Sequence, residues 1–173
     1  MENEECLANE LKKPSLIVFD LDLTLWSFRV DKSAKSPFNL SRKGNITDTK
    51  GKVFKTFPEV PEVLKELTED NYKLAVASRI EDIPGAYQLL HLFELTHYFS
   101  YKEIYPGSKT VHFEQLCRKS GVDFNNMLFF DDDKRNIRDI SKLGVTVIQV
   151  PDSGITSSLV KSGLVTFASK YKL

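Results

Sequence analysis

Two carboxylates and a hydroxyl directly follow an apolar run near the start of the chain. Leu16 to Phe19 is typical of a short buried strand, and Asp20, Asp22 and Thr24 occupy alternate positions after it. Since side chains of extended backbone alternate faces, these three groups are predicted to converge where the strand ends. Carboxylates that close repel unless a cation lies between them, and Mg2+ is the simplest occupant. The alternative is that the three residues merely close the strand as turn and cap residues.

Three further predicted strand ends also carry polar groups. These are Ser78 and Arg79 after 73–77, Ser108 and Lys109 after 98–104, and Asp131 and Asp132 after 127–130. In a doubly wound sheet such groups point into one crevice. Acids for a metal beside a hydroxyl, a guanidinium and an ammonium describe a phosphate site. Taken singly, Ser78 could cap a helix, Arg79 could be a surface charge, and the acids could serve a helix N-terminus.

The elements that must position these groups alternate between helix and strand. Helical spacing of apolar residues predicts helices over 58–70, 85–93, 109–120, 136–143 and 155–170, and a strand is also predicted over 145–150. This order predicts an α/β fold, a three-layer doubly wound parallel sheet without a separate cap domain. We expect a flexible tail over 1–14 and a single domain over 15–173. The polar segment at about 27–56 is predicted to form a flap or loop.

Composition narrows the functional classes. Lysine plus arginine and aspartate plus glutamate each number 24 of 173 residues, so no net field favours nucleic acid or an acidic membrane. No apolar run approaches the roughly 20 residues that span a bilayer, and the first residues lack an apolar signal core, so a cytoplasmic location is expected. Cys6 and Cys117 make neither a disulfide framework nor a zinc site. The scattered His91, His97 and His112 are interpreted as structural or surface residues.

These blocks resemble the haloacid dehalogenase-like (HAD) superfamily, and more finely its magnesium-dependent phosphatases. The likeness runs from about residue 16 to residue 168. The resembling blocks, in chain order, are Phe19-Asp20-Leu21-Asp22, Thr24-Leu25-Trp26, Pro58 to Leu64, Ala77-Ser78-Arg79, Tyr105 to Lys109, and Phe129 to Asp132. Thr24 and Trp26 support the resemblance, but no chemical role is predicted for them.

The resemblance implies a role for each matching residue. Asp20 is expected to be the nucleophile that forms an aspartyl-phosphate, and Asp22 the general acid and then base. Asp20, the backbone carbonyl of Asp22 and the carboxylate of Asp132 are expected to hold Mg2+, with Asp131 as a supporting acid. The phosphoryl oxygens are expected to bind Ser78, the Arg79 region and Lys109. The superfamily often has another acid four residues after the metal ligand, and Asn136 stands there instead.

The resemblance predicts a phosphatase but leaves its substrate open. The acid at Asp22 favours phosphate chemistry over dehalogenation, and Gly107-Ser108-Lys109-Thr110 lacks the first glycine of a P-loop. Without a cap, either a phosphotyrosine-type phosphoprotein or a small sugar or amine phosphate is an expected partner, and the oligomeric state is open. The alternatives are a phosphoryl-recognising module without turnover and a phosphotransferase of the same fold.

Overall fold

A parallel sheet forms the centre of the molecule in the computed structural model, which describes residues 11–171. Within that range the strands are β1 (Leu16–Phe19), β2 (Asn39–Leu40), β3 (Ile46–Thr47), β4 (Val53–Phe54), β5 (Leu74–Ser78), β6 (Phe99–Ile104), β7 (Met127–Asp131) and β8 (Thr146–Gln149). Five of them pair in the order β6-β5-β1-β7-β8, all parallel. The strand order reverses on either side of β1, which makes the carboxyl end of β1 a topological switch point.

Helices cover both faces of this sheet. They are α1 (Val60–Glu69), α2 (Ile83–Leu92), α3 (Lys109–Ser120), α4 (Lys134–Ser141) and α5 (Ser157–Ser169). Ile17 and Phe19 of β1 belong to the apolar core shared with α1, α2 and α5. Leu16 and Val18 point the other way, into the core shared with α3 and α4. The predicted doubly wound α/β fold is therefore confirmed, with a strand buried on both faces at its centre.

Local capping explains where the helices begin and end. The predicted start of α3 at Lys109 and its stop before Gly121 match the structure, because Ser108 accepts a hydrogen bond from the Thr110 amide and Gly121 adopts a φ of 72°. The second and fourth helices begin two residues earlier than predicted. Their N-caps are Asp82 and Asp133, which accept hydrogen bonds from the amides of Gly85 and Arg135.

The segment over 27–56 carries a small antiparallel sheet in the order β2-β3-β4. Phe38 and Phe54 anchor it, since both are buried and their rings lie 5.7 Å apart, edge to face. No separate cap domain is present among residues 11–171. Of the tail predicted over 1–14, residues 1–10 lie outside that range. None of the described helices is long and apolar enough to cross a membrane.

Candidate active site

The carboxyl ends of the three central strands open into one cleft. A volume of about 290 Å³ lies there, and its lining includes the six residues predicted to act in catalysis, metal binding or phosphate binding: Asp20, Asp22, Ser78, Arg79, Lys109 and Asp132. The pairing of Phe19 with Phe130 sets Asp20 beside Asp131, one residue beyond each. The parallel sheet thus brings together groups that lie about 110 residues apart in the chain.

Three carboxylates form a cluster at the bottom of the cleft. Asp20, Asp131 and Asp132 each offer an oxygen within 4.8 Å of the others. Burial raises the pKa of Asp20 well above its usual value, and the charge of Asp131 raises it further, although Lys109 opposes both. Burial likewise raises the pKa of Asp132, and Asp131 adds to it. Such a cluster is costly when all its members are ionised, and a divalent cation relieves that cost.

Lys109 partly compensates the cluster from the first turn of α3. Its buried ammonium donates to Asp20 Oδ1 at 2.9 Å, to Asp131 Oδ2 at 3.0 Å and to the Ala77 carbonyl at 2.7 Å. Burial alone lowers the pKa of Lys109, but attraction to Asp20 and Asp131 outweighs it and raises the pKa. One ammonium against three carboxylates leaves two negative charges when all are ionised, which is the charge that a divalent cation balances.

The two acids that follow β7 differ in how many partners they already have. Asp131 accepts from Lys109, from the Asn136 side-chain amide at 3.0 Å and from the Asp133 backbone amide at 2.9 Å. Among residues 11–171, the Asp132 carboxylate accepts a hydrogen bond only from the Thr24 hydroxyl, at 3.4 Å. Asp132 therefore keeps lone pairs for a cation, whereas Asp131 orients the ammonium. Asn136, expected near the metal, instead holds Asp131.

Asp22 turns away from the carboxylate cluster. The chain leaves its extended conformation after Phe19, and the amides of Thr24 and Leu25 both bond to the Leu21 carbonyl. The predicted alternation therefore ends at Asp20. A turn, rather than a strand, brings the Thr24 hydroxyl to 3.4 Å from Asp20 Oδ2. Asp22 lies outside the three-carboxylate cluster but still lines the cleft.

Two donors fix the carboxylate of Asp22. The Trp26 indole donates to Oδ1 at 2.8 Å, and the Val30 amide lies 3.2 Å from both oxygens. Burial raises the pKa of Asp22 to about 6, although these two donors pull it down. Trp26 is fully buried and stacks on Phe28, with ring centroids 5.5 Å apart. Sequence reasoning missed this contact, since no pattern reports which donor will reach a carboxylate across a loop.

The predicted phosphate-binding residues also line the cleft. The Ser78 side chain is 1% exposed, and its hydroxyl accepts from the Ile80 amide at 3.3 Å. Arg79 is exposed and lines the cleft. It has no ion pair with any residue in 11–171. Its guanidinium is therefore available at the cleft mouth, whereas the Lys109 ammonium already has three acceptors.

Comparison with known proteins agrees with this geometry. A family model described as Acid Phosphatase matches residues 12–170. The human protein Magnesium-dependent phosphatase 1 is 51% identical over 155 residues, which are 90% of this chain and 88% of the relative. A HAD-like hydrolase superfamily protein of Schizosaccharomyces pombe is 33% identical over 83% of this chain and 89% of its own.

Solved structures share the fold. A HAD-superfamily hydrolase from Ehrlichia chaffeensis superposes with a TM-score of 0.65 at 15% identity, over 91% of this chain and 98% of that one. A phosphatase domain of a Bacteroides fragilis protein, solved in complex with Mg, also reaches 0.65, at 18% identity over 91% of this chain and 42% of that one. At these identities the similarity supports the α/β architecture alone.

Proposed function

The chain belongs to the acid phosphatase family, among the magnesium-dependent phosphatases of the HAD-like superfamily, and from that premise we propose that it hydrolyses phosphomonoesters through an aspartyl-phosphate on Asp20. One observation carries this proposal. The Asp20 carboxylate lies at the bottom of an open cleft, bonded to the Lys109 ammonium at 2.9 Å and grouped with Asp131 and Asp132 within 4.8 Å. A carboxylate paired with an ammonium, in a cluster that can also hold a divalent cation, can face a phosphoryl group without strong repulsion.

The donor set fits Mg2+. Oxygen ligands from carboxylates and backbone carbonyls are those that Mg2+ prefers, and the cluster has two negative charges in excess when ionised. Asp20 and Asp132 would hold the ion with the carbonyl of Asp22, while Asp131 stays engaged with Lys109 and Asn136. When bound, the ion neutralises the phosphoryl oxygens and the attacking carboxylate.

The first half-reaction transfers the phosphoryl group to Asp20. A carboxylate oxygen of Asp20 forms a bond to phosphorus as the ester P–O bond breaks on the opposite side. The electron pair of that bond goes to the leaving oxygen, which takes a proton from the Asp22 carboxyl. Ser78 and Arg79, which line the same cleft, bind the phosphoryl oxygens, and Lys109 keeps Asp20 oriented.

The second half-reaction returns Asp20 to its starting state. Asp22, now ionised, accepts a proton from water as the water oxygen bonds to phosphorus and the Asp20 O–P bond breaks. Inorganic phosphate leaves through the open cleft. With its pKa near 6, Asp22 has both protonation states within reach close to neutral pH, as an acid that later serves as a base requires.

The proposed substrate is a phosphomonoester with an accessible phosphoryl group, either a phosphotyrosine-type side chain on a protein or a small sugar or amine phosphate. Both fit a cleft that no cap domain covers among residues 11–171. The mouth carries the cations Arg29, Lys32 and Arg79, all exposed, which suit a dianionic phosphoryl group. A panel of phosphopeptides and phosphorylated metabolites, assayed for phosphate release with Mg2+, separates the two classes.

Asp20→Asn tests the proposed function. The amide preserves shape but removes the nucleophile, so release of p-nitrophenol from p-nitrophenyl phosphate with Mg2+ should fall at least about 1,000-fold. Asp152→Asn is the matched control, because it makes the same change at an exposed turn residue away from the cleft. Tight phosphate binding by the wild-type chain without turnover would favour the binding module instead. Labelled phosphoryl groups on an added alcohol, with little free phosphate, would favour the phosphotransferase.

A further inference from the structure

His112 lies buried between the two loops that carry the phosphate-binding groups. Its side chain is fully buried in the first turn of α3. Nε2 lies 2.8 Å from the Ser78 carbonyl oxygen and 2.8 Å from the Tyr105 carbonyl oxygen, while Nδ1 lies 3.0 Å from the Ser108 carbonyl oxygen. One ring therefore contacts the end of β5 and both ends of the turn over 105–108.

All three partners of the ring are acceptors. The ring carries at least one N–H group in either tautomer, so it can donate to these backbone oxygens, and an N–H on Nε2 reaches both the Ser78 and the Tyr105 carbonyl. Tyr105 stacks on the ring, with centroids 4.3 Å apart and planes 16° apart, and fixes its orientation.

The charged groups around this ring are themselves paired. Lys109, one turn earlier on the same helix, is bonded to Asp20 and Asp131. Glu103 of β6 accepts from the Tyr105 hydroxyl at 2.7 Å and pairs with Lys119 at 2.6 Å. The three carbonyl oxygens are therefore the direct partners of the His112 ring among the described residues.

We propose that His112 is a positioning residue whose ring ties the Ser78 and Tyr105 backbones together and so sets the spacing between Ser78 and Lys109. Ser78 and Lys109 lie on separate elements, β5 and α3, and the ring joins these elements through backbone atoms. This inference rests on the proposed function, in which Ser78 binds phosphoryl oxygens and Lys109 orients Asp20.

Nitrogen-15 NMR of the histidine rings in the full chain tests the hydrogen bond from Nε2. We expect His112 Nε2 to carry a proton, with Mg2+ and inorganic phosphate present. Loss of this signal in His112→Gln gives the assignment. An unprotonated Nε2 on His112 would overturn the proposal. This measurement needs no activity, so it stands even if the proposed function fails.

Kinetics of two variants test the positioning role. His112→Phe keeps a flat ring without donors, and His112→Gln keeps an amide donor. We expect kcat/KM for p-nitrophenyl phosphate to fall about 10- to 100-fold in the Phe variant, and less in the Gln variant, because small displacements of binding groups are costly. The inhibition constant for inorganic phosphate should rise in the same order.

Leu116→Ala is the matched control, since Leu116 is fully buried one turn further along α3 and lines no part of the cleft. It should lower Tm while leaving kcat/KM per folded molecule unchanged. Wild-type kcat/KM and phosphate inhibition in folded His112→Phe would overturn the positioning role. An equal loss in Leu116→Ala would also overturn it, by showing that any loosening of α3 suffices. If the wild-type chain lacks turnover, the proposed function has failed. The positioning role is then tested by measuring the binding of inorganic phosphate to the wild-type chain and the variants by calorimetry.

Discussion

Replacing Trp26 with phenylalanine should weaken the general acid without touching the nucleophile. Two donors hold the Asp22 carboxylate, and the Trp26 indole is the closer one, at 2.8 Å from Oδ1. The Val30 amide, at 3.2 Å from both oxygens, remains in the variant. A hydrogen bond to an ionised group contributes about 1.5–3 kcal/mol, which corresponds to a factor of about 10–150 in rate. Because the Val30 amide remains as a donor, we expect the lower end of this range, a loss of rate of about tenfold.

The loss should depend on the leaving group. A p-nitrophenolate ion leaves without help from a proton, whereas an alkoxide needs one from Asp22. We therefore expect Trp26→Phe to lower kcat/KM about tenfold with an alkyl phosphate and only about two- to threefold with p-nitrophenyl phosphate. Parallel assays of both substrates with saturating Mg2+ measure the ratio, and Asp22→Asn should show the same dependence more strongly.

A stability control separates this effect from loosened packing. Trp26 is fully buried, so Trp26→Phe also lowers the free energy of unfolding, by about 1–3 kcal/mol. Phe54→Leu is the control, because it also removes aromatic packing from this core, where Phe54 contacts Phe28 and Phe38. It should lower stability without changing the ratio between substrates. Equal losses on both substrates in Trp26→Phe would refute the assignment of Asp22 as the proton donor.

Three further perturbations follow from the same contacts. Asp132→Asn should raise the Mg2+ concentration needed for half-maximal activity at least about tenfold. Asp133→Asn is the control, because Asp133 is adjacent but pairs with Arg135, and it should leave that concentration unchanged. A Mg2+ titration after chelation measures both values. Lys109→Met should lower the free energy of unfolding, measured without Mg2+, by about 3 kcal/mol or more, because buried Asp20 and Asp131 lose their cation. An unchanged denaturation midpoint would contradict the charge balance described above. Gly163→Ala should lower the free energy of unfolding by about 1–3 kcal/mol, although alanine favours helices. The reason is that a Cβ at this position would lie 2.7 Å from Phe130 Cζ. Greater stability of this variant in urea denaturation would contradict the packing of α5 on β7.

The main sheet and most of the cleft residues could be predicted from the sequence because their signals are local. The runs Leu16–Phe19 and Met127–Phe130 are apolar throughout and end in acids, which is typical of central strands at a ligand site. Helix α3 was predicted to the residue because Ser108 and Gly121 mark its two ends.

Other features depend on contacts between distant parts of the chain. The strands β2, β3 and β4 have two residues each, too short for any periodicity to appear. The period-two argument failed beyond Asp20 because Leu23 adopts a φ of 60° and the chain turns there. The hydrogen bond from Trp26 to Asp22 and the contacts of His112 with three carbonyl oxygens arise only when the loops close over the sheet.

Direct detection of the phosphorylated enzyme tests the central claim most closely. Wild-type chain mixed with a phosphorus-32-labelled phosphomonoester and Mg2+, then quenched in acid, should retain label that hydroxylamine releases, as expected for an acyl phosphate. Mass spectrometry should place one phosphoryl group on the peptide containing Asp20, and Asp20→Asn should retain none. Substrate turnover by the wild-type chain without any labelled protein at any quench time, or label on another residue, would contradict catalysis through Asp20.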